Sequence, residues 1–134
     1  MKQLLFITFL AIQQLILPAQ TIQELSAEEA HAFLEKVNPD TLLIIDGRSK
    51  KMFQSGHLPN AINIDAYKKN LEKQLTAKVI PHKHLFIYCT RSTRSDSIIN
   101  TLTLLGYKGD ILQMSDGITG WKEHEFECIV PEQK

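Results

Sequence analysis

Hydrophobic and polar positions along this 134-residue chain form blocks that predict strands and helices in turn. Short apolar runs with the length of buried strands occur at 22–25, 42–45, 61–64, 85–88 and 110–114. Between and after these runs, apolar residues recur at helical spacing over 26–37, 49–55, 65–75, 95–105 and from 116 past Trp121. Strands that alternate with helices in this way predict an α/β fold, a three-layer sandwich around a mostly parallel five-stranded sheet.

Local signals support two of these helices in particular. Ser26 and Glu29 form a capping box at the start of the first helix. Gly106 follows the fourth helix, at the position where a helix C-cap favours glycine. The fourth strand and the fourth helix therefore enclose one short connection, which begins at Cys89 and ends at Arg94.

This connection, with the serine that follows it, is the segment 89–95, Cys-Thr-Arg-Ser-Thr-Arg-Ser, here called the cysteine loop. A cysteine at the carboxyl end of a buried strand lies where α/β sheets bind ligands. A loop that turns into a helix start directs free backbone N–H groups inward, and together with Arg91 and Arg94 these form an anion site. Such surroundings would favour the thiolate, which is a nucleophile. The alternative is a buried structural cysteine, since free cysteine is among the most buried residue types.

A second polar pair follows the second strand. Asp46 and Arg48 lie at its carboxyl end and therefore on the rim that carries Cys89. A carboxylate–guanidinium pair at this place can brace the loop from behind. The alternative is a surface ion pair of little energetic value.

These motifs together resemble a known family. Residues 89–95 are similar to the active-site loop of the rhodanese-like sulfurtransferases, in which six residues run from cysteine to arginine. Residues 46–48 resemble the family's Asp-x-Arg, and residues 53–63 resemble its Phe-x-x-Gly-His-Ile-Pro-Gly-Ala-x-Asn segment. Residues 105–107 and 116–121 resemble its closing motifs.

The resemblance implies a sulfurtransferase that works through a persulfide on Cys89. It implies a small anionic sulfur donor such as thiosulfate, and a thiol, cyanide or a protein as the sulfur acceptor. Asp46 and Arg48 would support the loop, His57 would be structural, and no cofactor or metal is needed. The implied donor-binding residues are Thr90, Arg91, Ser92, Thr93, Arg94 and Ser95.

Two other functions stay open. A phosphatase or arsenate reductase of the related cysteine-loop type has its arginine six positions after the cysteine, where this chain has Ser95. A sulfur carrier or binding module without turnover is the other alternative. Ser92 and Asp116 stand where the family often has glycine, and a non-glycine residue that needs a positive φ would strain the loop.

The N-terminus predicts export. Lys2 precedes an apolar stretch over 4–17, and Pro18-Ala19 follows, as is typical of a secretory signal peptide. We expect cleavage after Ala19, a rhodanese-like domain over 20–134, a periplasmic or extracellular location and no stable membrane insertion after cleavage. An uncleaved anchor formed by 4–17, or a helix packed on the domain, are the alternatives.

Composition narrows the partners. The chain has 15 basic and 15 acidic residues, 43% hydrophobic and 22% charged residues, which fits one globular domain and argues against nucleic acid as a partner. Its five histidines are scattered, so no metal site is predicted. Cys89 and Cys128 could pair, but the simpler interpretation is that Cys128 packs in the C-terminal segment and that both thiols stay free.

Overall fold

The computed structural model of the protein describes residues 20–132, so the predicted signal peptide lies outside the described residues. The strands are β1 Ile22–Leu25, β2 Leu43–Asp46, β3 Ala61–Asn63, β4 His84–Tyr88 and β5 Asp110–Met114. The helices are α1 Ala27–Leu34, α2 Lys50–Gln54, α3 Leu71–Lys78, α4 Thr93–Leu104 and α5 Gly117–Glu123, with a 3-10 turn at Pro39–Thr41.

All five strands are parallel and follow the order β1-β5-β4-β2-β3. The predicted fold class is therefore confirmed. β4 is the central strand, and its last residue, Tyr88, pairs in register with Asp46 at the end of β2. This register brings the ends of the two strands to the same rim, as the sequence predicts.

Successive residues of β4 supply two separate apolar clusters, one on each face of the sheet. Leu85 and Ile87 belong to the cluster covered by α3 and α4. Phe86 and Tyr88 belong to the cluster covered by α1 and α5. Burial on both faces explains why this strand is apolar at every position after its first. Cys89, the next residue, belongs to neither cluster.

The helix predicted over 65–75 begins six residues later, at Leu71. The carboxylate of Asp65 accepts the backbone N–H of Tyr67 at 3.0 Å, which holds the start of this segment in a turn. Aspartate competes with helical backbone hydrogen bonds in this way, and the periodicity of apolar residues does not reveal it. The apolar face that the spacing indicated, Leu71 and Leu75, is buried as predicted.

The other helix boundaries differ less from the predicted ones. The capping box of α1 is present, with Ser26 Oγ accepting from the N–H of Glu29 at 3.2 Å and Glu29 accepting from the N–H of Ser26 at 2.8 Å. α1 ends at Leu34, three residues earlier than predicted. α4 begins at Thr93, two residues before Ser95, so the first turn of the helix lies inside the cysteine loop.

The C-terminal segment returns to the body of the domain. It forms one antiparallel bridge, between His57 and Ile129. Cys128, next to this bridge, is half-buried, and burial raises the pKa of its thiol. Both cysteines are free, as the simpler interpretation expects. Residues 20–132 contain no helix with the length and hydropathy to cross a membrane.

Candidate active site

Cys89 follows β4 directly and is buried at the carboxyl rim, with 1% of the residue exposed. Its Sγ lies 3.7 Å from Oγ of Ser95, and within residues 20–132 the sulfur has no other hydrogen-bond partner. The sulfur therefore faces a polar group at the rim where the sequence predicts it.

Ser95 connects the sulfur to the neighbouring strand. Its hydroxyl donates to the carbonyl of Ser92 at 2.7 Å and accepts from Nε2 of Gln113 at 2.8 Å. Gln113 lies on β5, is 3% exposed and also donates to Asp96 at 2.6 Å. Its signal in the sequence is a polar residue two positions after Ile111, on a face of the strand that is otherwise buried and apolar.

The start of α5 holds the first two carbonyl groups of the cysteine loop. The N–H of Ile118 donates to the carbonyl of Cys89 at 2.9 Å, and that of Thr119 donates to the carbonyl of Thr90 at 3.1 Å. Gly117, at φ +60°, lies so close that a β-carbon there would collide with both oxygens. Since C=O and N–H point in opposite directions in a trans peptide, the N–H groups of these two peptide units point away from α5.

The backbone N–H groups that follow Thr90 are free. Those of residues 91–95 donate to no acceptor, the Cys89 sulfur included, within the part of the chain that the structure describes. Three of them belong to the first turn of α4, where N–H groups have no partner inside the helix. These N–H groups are thus available to an added atom or ion, whereas the existing contact to the sulfur comes from Ser95.

The two arginines of the loop differ in their surroundings. Arg91 is exposed, as is Thr93. The Arg94 guanidinium lies 5.0 Å from the centre of the Tyr67 ring, a cation–π contact that the linear sequence gives no sign of. Neither arginine forms an ion pair with a carboxylate among residues 20–132, so both positive charges are available to an anion.

The two positions where the family often has glycine carry no strain here. Ser92 has φ −135° and Asp116 has φ −87°, both outside the left-handed region. The concern that these residues strain the loop is therefore wrong for this chain. Gly117 next to Asp116 has the positive φ instead.

Asp46 and Arg48 form a buried cluster with Tyr88, here called the ion-pair cluster. Arg48 Nη2 lies 2.7 Å from Asp46 Oδ2 and 2.6 Å from the carbonyl oxygen of Gly56. The Tyr88 hydroxyl donates to Asp46 at 2.8 Å and accepts the N–H of Leu58 at 3.0 Å. Asp46 is 0% and Arg48 3% exposed, which excludes the alternative of a surface ion pair.

The electrostatics of the ion-pair cluster follow from this burial. Burial opposes the charge on Arg48, but hydrogen bonds to Asp46 and the charge of that carboxylate prevail and raise the pKa of the guanidinium. Burial, and then the charge of Asp46, also raise the pKa of Tyr88, so its hydroxyl remains a donor.

The backbone beside the ion-pair cluster is bonded to the residue that precedes the cysteine loop. The N–H of Gly47 donates to the carbonyl of Tyr88 at 2.8 Å, just before the cysteine. A β-carbon on Gly47 would lie 3.0 Å from Ile98 and 3.7 Å from the main chain of Arg94, so β2 ends against the start of α4. The cluster therefore lies next to the residue before the loop and, among residues 20–132, forms no hydrogen bond with its sulfur.

His57 has the surroundings of a structural residue, as the resemblance implies. Its Nδ1 lies 3.0 Å from the Phe53 carbonyl, and its ring stacks on the Phe53 ring at a centroid distance of 3.7 Å. No group of three or more potential metal ligands occurs among residues 20–132.

The sequence profile of the rhodanese-like domain matches residues 26–124, which include the cysteine loop, both partners of the buried ion pair and α5. The chain belongs to the rhodanese-like domain family. No curated protein matches the sequence.

Solved structures agree with this rhodanese-like fold. A rhodanese-related protein from Thermoplasma volcanium is 19% identical and superposes with a TM-score of 0.65 over 81% of this chain and 99% of its own. The rhodanese-like domain of the Alr3790 protein from Anabaena sp. is 17% identical, with a TM-score of 0.66 over 88% and 85% of the two chains. A thiosulfate sulfurtransferase from Pseudomonas aeruginosa is 23% identical, with a TM-score of 0.63 over 84% of this chain and 21% of its own.

Proposed function

We propose that this rhodanese-like domain is a sulfurtransferase that moves a sulfane sulfur through a persulfide on Cys89. The observation that carries the proposal is that the N–H groups of residues 91–95, in the loop that starts at this cysteine, have no partner in the described part of the chain. Such groups stabilise an anion without any cofactor or metal.

The first half of the reaction charges the protein. The Cys89 thiolate attacks the outer sulfur of a donor such as thiosulfate, a bond forms between the two sulfurs, and sulfite leaves with the electron pair of the broken S–S bond. The negative charge of the product rests on the outer sulfur. The free N–H groups of the loop would hold that sulfur, while Arg91 and Arg94 would attract the donor.

The second half of the reaction removes the outer sulfur from the Cys89 persulfide. A thiol, cyanide or a protein acceptor attacks the outer sulfur, and the bond to Sγ of Cys89 breaks. The electron pair stays on Sγ, which returns as the thiolate. Because Cys89 is only 1% exposed, side chains of the loop must move aside before either reactant can reach the sulfur, and this favours small reactants.

The same burial is the observation that favours the second candidate, a sulfur carrier without turnover. Such a protein would accept one sulfur and release it only to a specific partner. The third candidate, a phosphatase or arsenate reductase, is less well supported. Position 95 would have to supply its arginine, and it holds a serine whose hydroxyl lies 3.7 Å from the Cys89 sulfur.

The test is the intact mass of the protein after treatment with thiosulfate, followed by a cyanide chase. We expect the wild type and Cys128→Ser to gain one sulfur atom and lose it as thiocyanate, and Cys89→Ser to gain none. A gain without discharge would favour the carrier. No gain on the wild type, together with hydrolysis of p-nitrophenyl phosphate, would overturn the proposal in favour of the phosphatase.

We further propose that this reaction takes place outside the cytoplasm, because the N-terminal pattern of Lys2, the apolar stretch 4–17 and Ala19 is typical of an exported protein. Cell fractionation and N-terminal sequencing of the mature protein test this. A mature N-terminus at residue 20 in the exported fraction is expected, whereas an intact Met1 in the cytoplasm would contradict export, and an intact Met1 in the membrane fraction would indicate an anchor.

A further inference from the structure

Gln113 is a buried polar residue that the proposed reaction does not use directly. Its Nε2 lies 2.6 Å from the carboxylate of Asp96 and 2.8 Å from Oγ of Ser95. A carboxylate accepts hydrogen bonds and cannot donate them, so the NH2 end of the Gln113 amide must face Asp96. The same NH2 group then donates to Ser95, and this fixes the direction of the second hydrogen bond.

This second bond limits what the Ser95 hydroxyl can do. A serine hydroxyl has one proton and two lone pairs, and Gln113 occupies one lone pair. The proton goes to the carbonyl of Ser92 at 2.7 Å, and the Cys89 sulfur at 3.7 Å faces the remaining lone pair. A neutral thiol can donate into that lone pair, but a thiolate has no proton to donate.

An anionic sulfur therefore needs the Ser95 hydroxyl to turn toward it. This rotation of the hydroxyl leaves the Ser92 carbonyl with a partner, because that carbonyl also accepts the N–H of Asp96 at 2.8 Å. While the hydroxyl rotates, the hydrogen bond from Gln113 holds the oxygen of Ser95 in place. The hydroxyl can thus exchange acceptors without leaving a buried carbonyl unpaired.

We propose that Gln113 is a positioning residue that holds the Ser95 hydroxyl against Sγ of Cys89 and so stabilises the thiolate. The proposal rests on the proposed function for its place in the reaction. In the discharge step the electron pair of the breaking S–S bond moves onto Sγ, and the hydroxyl proton is then directed at the sulfur that becomes negative. Gln113 should therefore affect discharge of the persulfide more than its formation.

The experiment is a double-mutant cycle of Gln113→Leu, Ser95→Ala and the double variant, with Gln74→Leu as control. The control removes a glutamine amide that bonds Asn70 on the surface at 2.9 Å. We expect the single-turnover rate of persulfide discharge to cyanide to fall by about tenfold in each single variant, the size of one lost hydrogen bond to a charged group. The double variant should be no slower than Ser95→Ala, because Gln113 acts through the serine.

A second measurement separates this proposal from the proposed function. The rate of Cys89 alkylation by iodoacetamide at pH 7 reports the thiolate without any sulfur transfer, and we expect it to fall in the same pattern. If the wild type takes up no sulfur but the alkylation pattern holds, the sulfurtransferase assignment fails and the role of Gln113 stands. The role of Gln113 would be overturned if Gln113→Leu had the same alkylation and discharge rates as Gln74→Leu. It would also be overturned if the losses of the two single variants added in the double variant.

Discussion

The ion-pair cluster and the cysteine loop lie at the carboxyl ends of the neighbouring parallel strands β2 and β4, on the same rim of the sheet. They differ in how far their polar groups are hydrogen-bonded within the protein. In the ion-pair cluster, the Asp46 carboxylate is shared between Arg48 and Tyr88, and each of these partners also bonds the main chain of the 56–58 turn. In the cysteine loop, the backbone N–H groups of residues 91–95 have no acceptor among residues 20–132.

The same contrast holds for side chains. Among residues 20–132, two buried side-chain oxygens lack a partner, Oγ1 of Thr90 and Oδ1 of Asp116. One belongs to the cysteine loop and the other precedes the helix that holds it. Native proteins pair nearly all buried polar groups, often through water, so these two oxygens are open to a water molecule or a ligand. The difference between the two regions is therefore that hydrogen bonds completed within the protein stabilise the fold, whereas open ones are available for chemistry.

The largest effect on stability should come from opening the ion-pair cluster. Asp46→Ala leaves the buried guanidinium of Arg48 without its partner, so we expect a loss of about 3–5 kcal/mol in the free energy of unfolding, measured by urea denaturation. Asp110→Ala is the control, because Asp110 pairs with His84 at an exposed site where each side chain is about half accessible. The loss of stability in this control should be much smaller, because an exposed ion pair is screened by solvent. Equal losses would mean that the cluster contributes no more than a surface pair.

The next effect should come from displacing the cysteine loop. Gly117→Ala pushes a methyl group into the carbonyl oxygens of Cys89 and Thr90, so we expect sulfur loading from thiosulfate to fall by about a hundredfold. Gly106→Ala is a matched control, because Gly106 also has a positive φ, +80°, but has nothing within 4 Å of the added carbon. Both variants lose the stability that a positive φ costs alanine, about 1–2 kcal/mol. If both load sulfur equally well, α5 does not position the loop.

A smaller effect should come from the Arg94 contact. Tyr67→Leu removes the aromatic face under this guanidinium, and an exposed cation–π contact contributes about 0.5–1 kcal/mol. We expect KM for thiosulfate to rise by about threefold while kcat changes little. Tyr67→Phe keeps the ring and should behave as the wild type. A KM that rises equally in both variants would indicate that the hydroxyl group, and not the ring, is what matters.

The smallest effect should come from Cys128. Burial raises the pKa of its thiol, so its thiolate is scarce at pH 7 and Cys128 should react with iodoacetamide more slowly than a free cysteine in solution. Cys128→Ser should keep full sulfur loading. A loss of loading in this variant, or a bond to Cys89 that persists in glutathione buffer, would assign Cys128 a role in the reaction.

The sequence is sufficient for the sheet and for the position of the cysteine, because both depend on local patterns. Strand length, the capping box at Ser26 and the cysteine–arginine spacing are visible in short windows of sequence. The spacing of apolar residues predicts the wrong start for α3, because the turn at Asp65 depends on one side-chain hydrogen bond. Short windows of sequence give no sign of the contacts of Gln113 and Tyr67, because each contacts a residue at least 17 positions away in the chain.

The way in which α5 holds the loop also has a consequence for folding during synthesis. The residues that fix the first two carbonyls of the loop, 117–119, come almost 30 positions after Cys89, and β1 pairs with a strand 89 residues further along the chain. A nascent chain that ends before residue 117 contains Cys89 but lacks the residues that hold the first two carbonyl groups of its loop. The cysteine loop is therefore held in its folded position only after residue 119 has been synthesised.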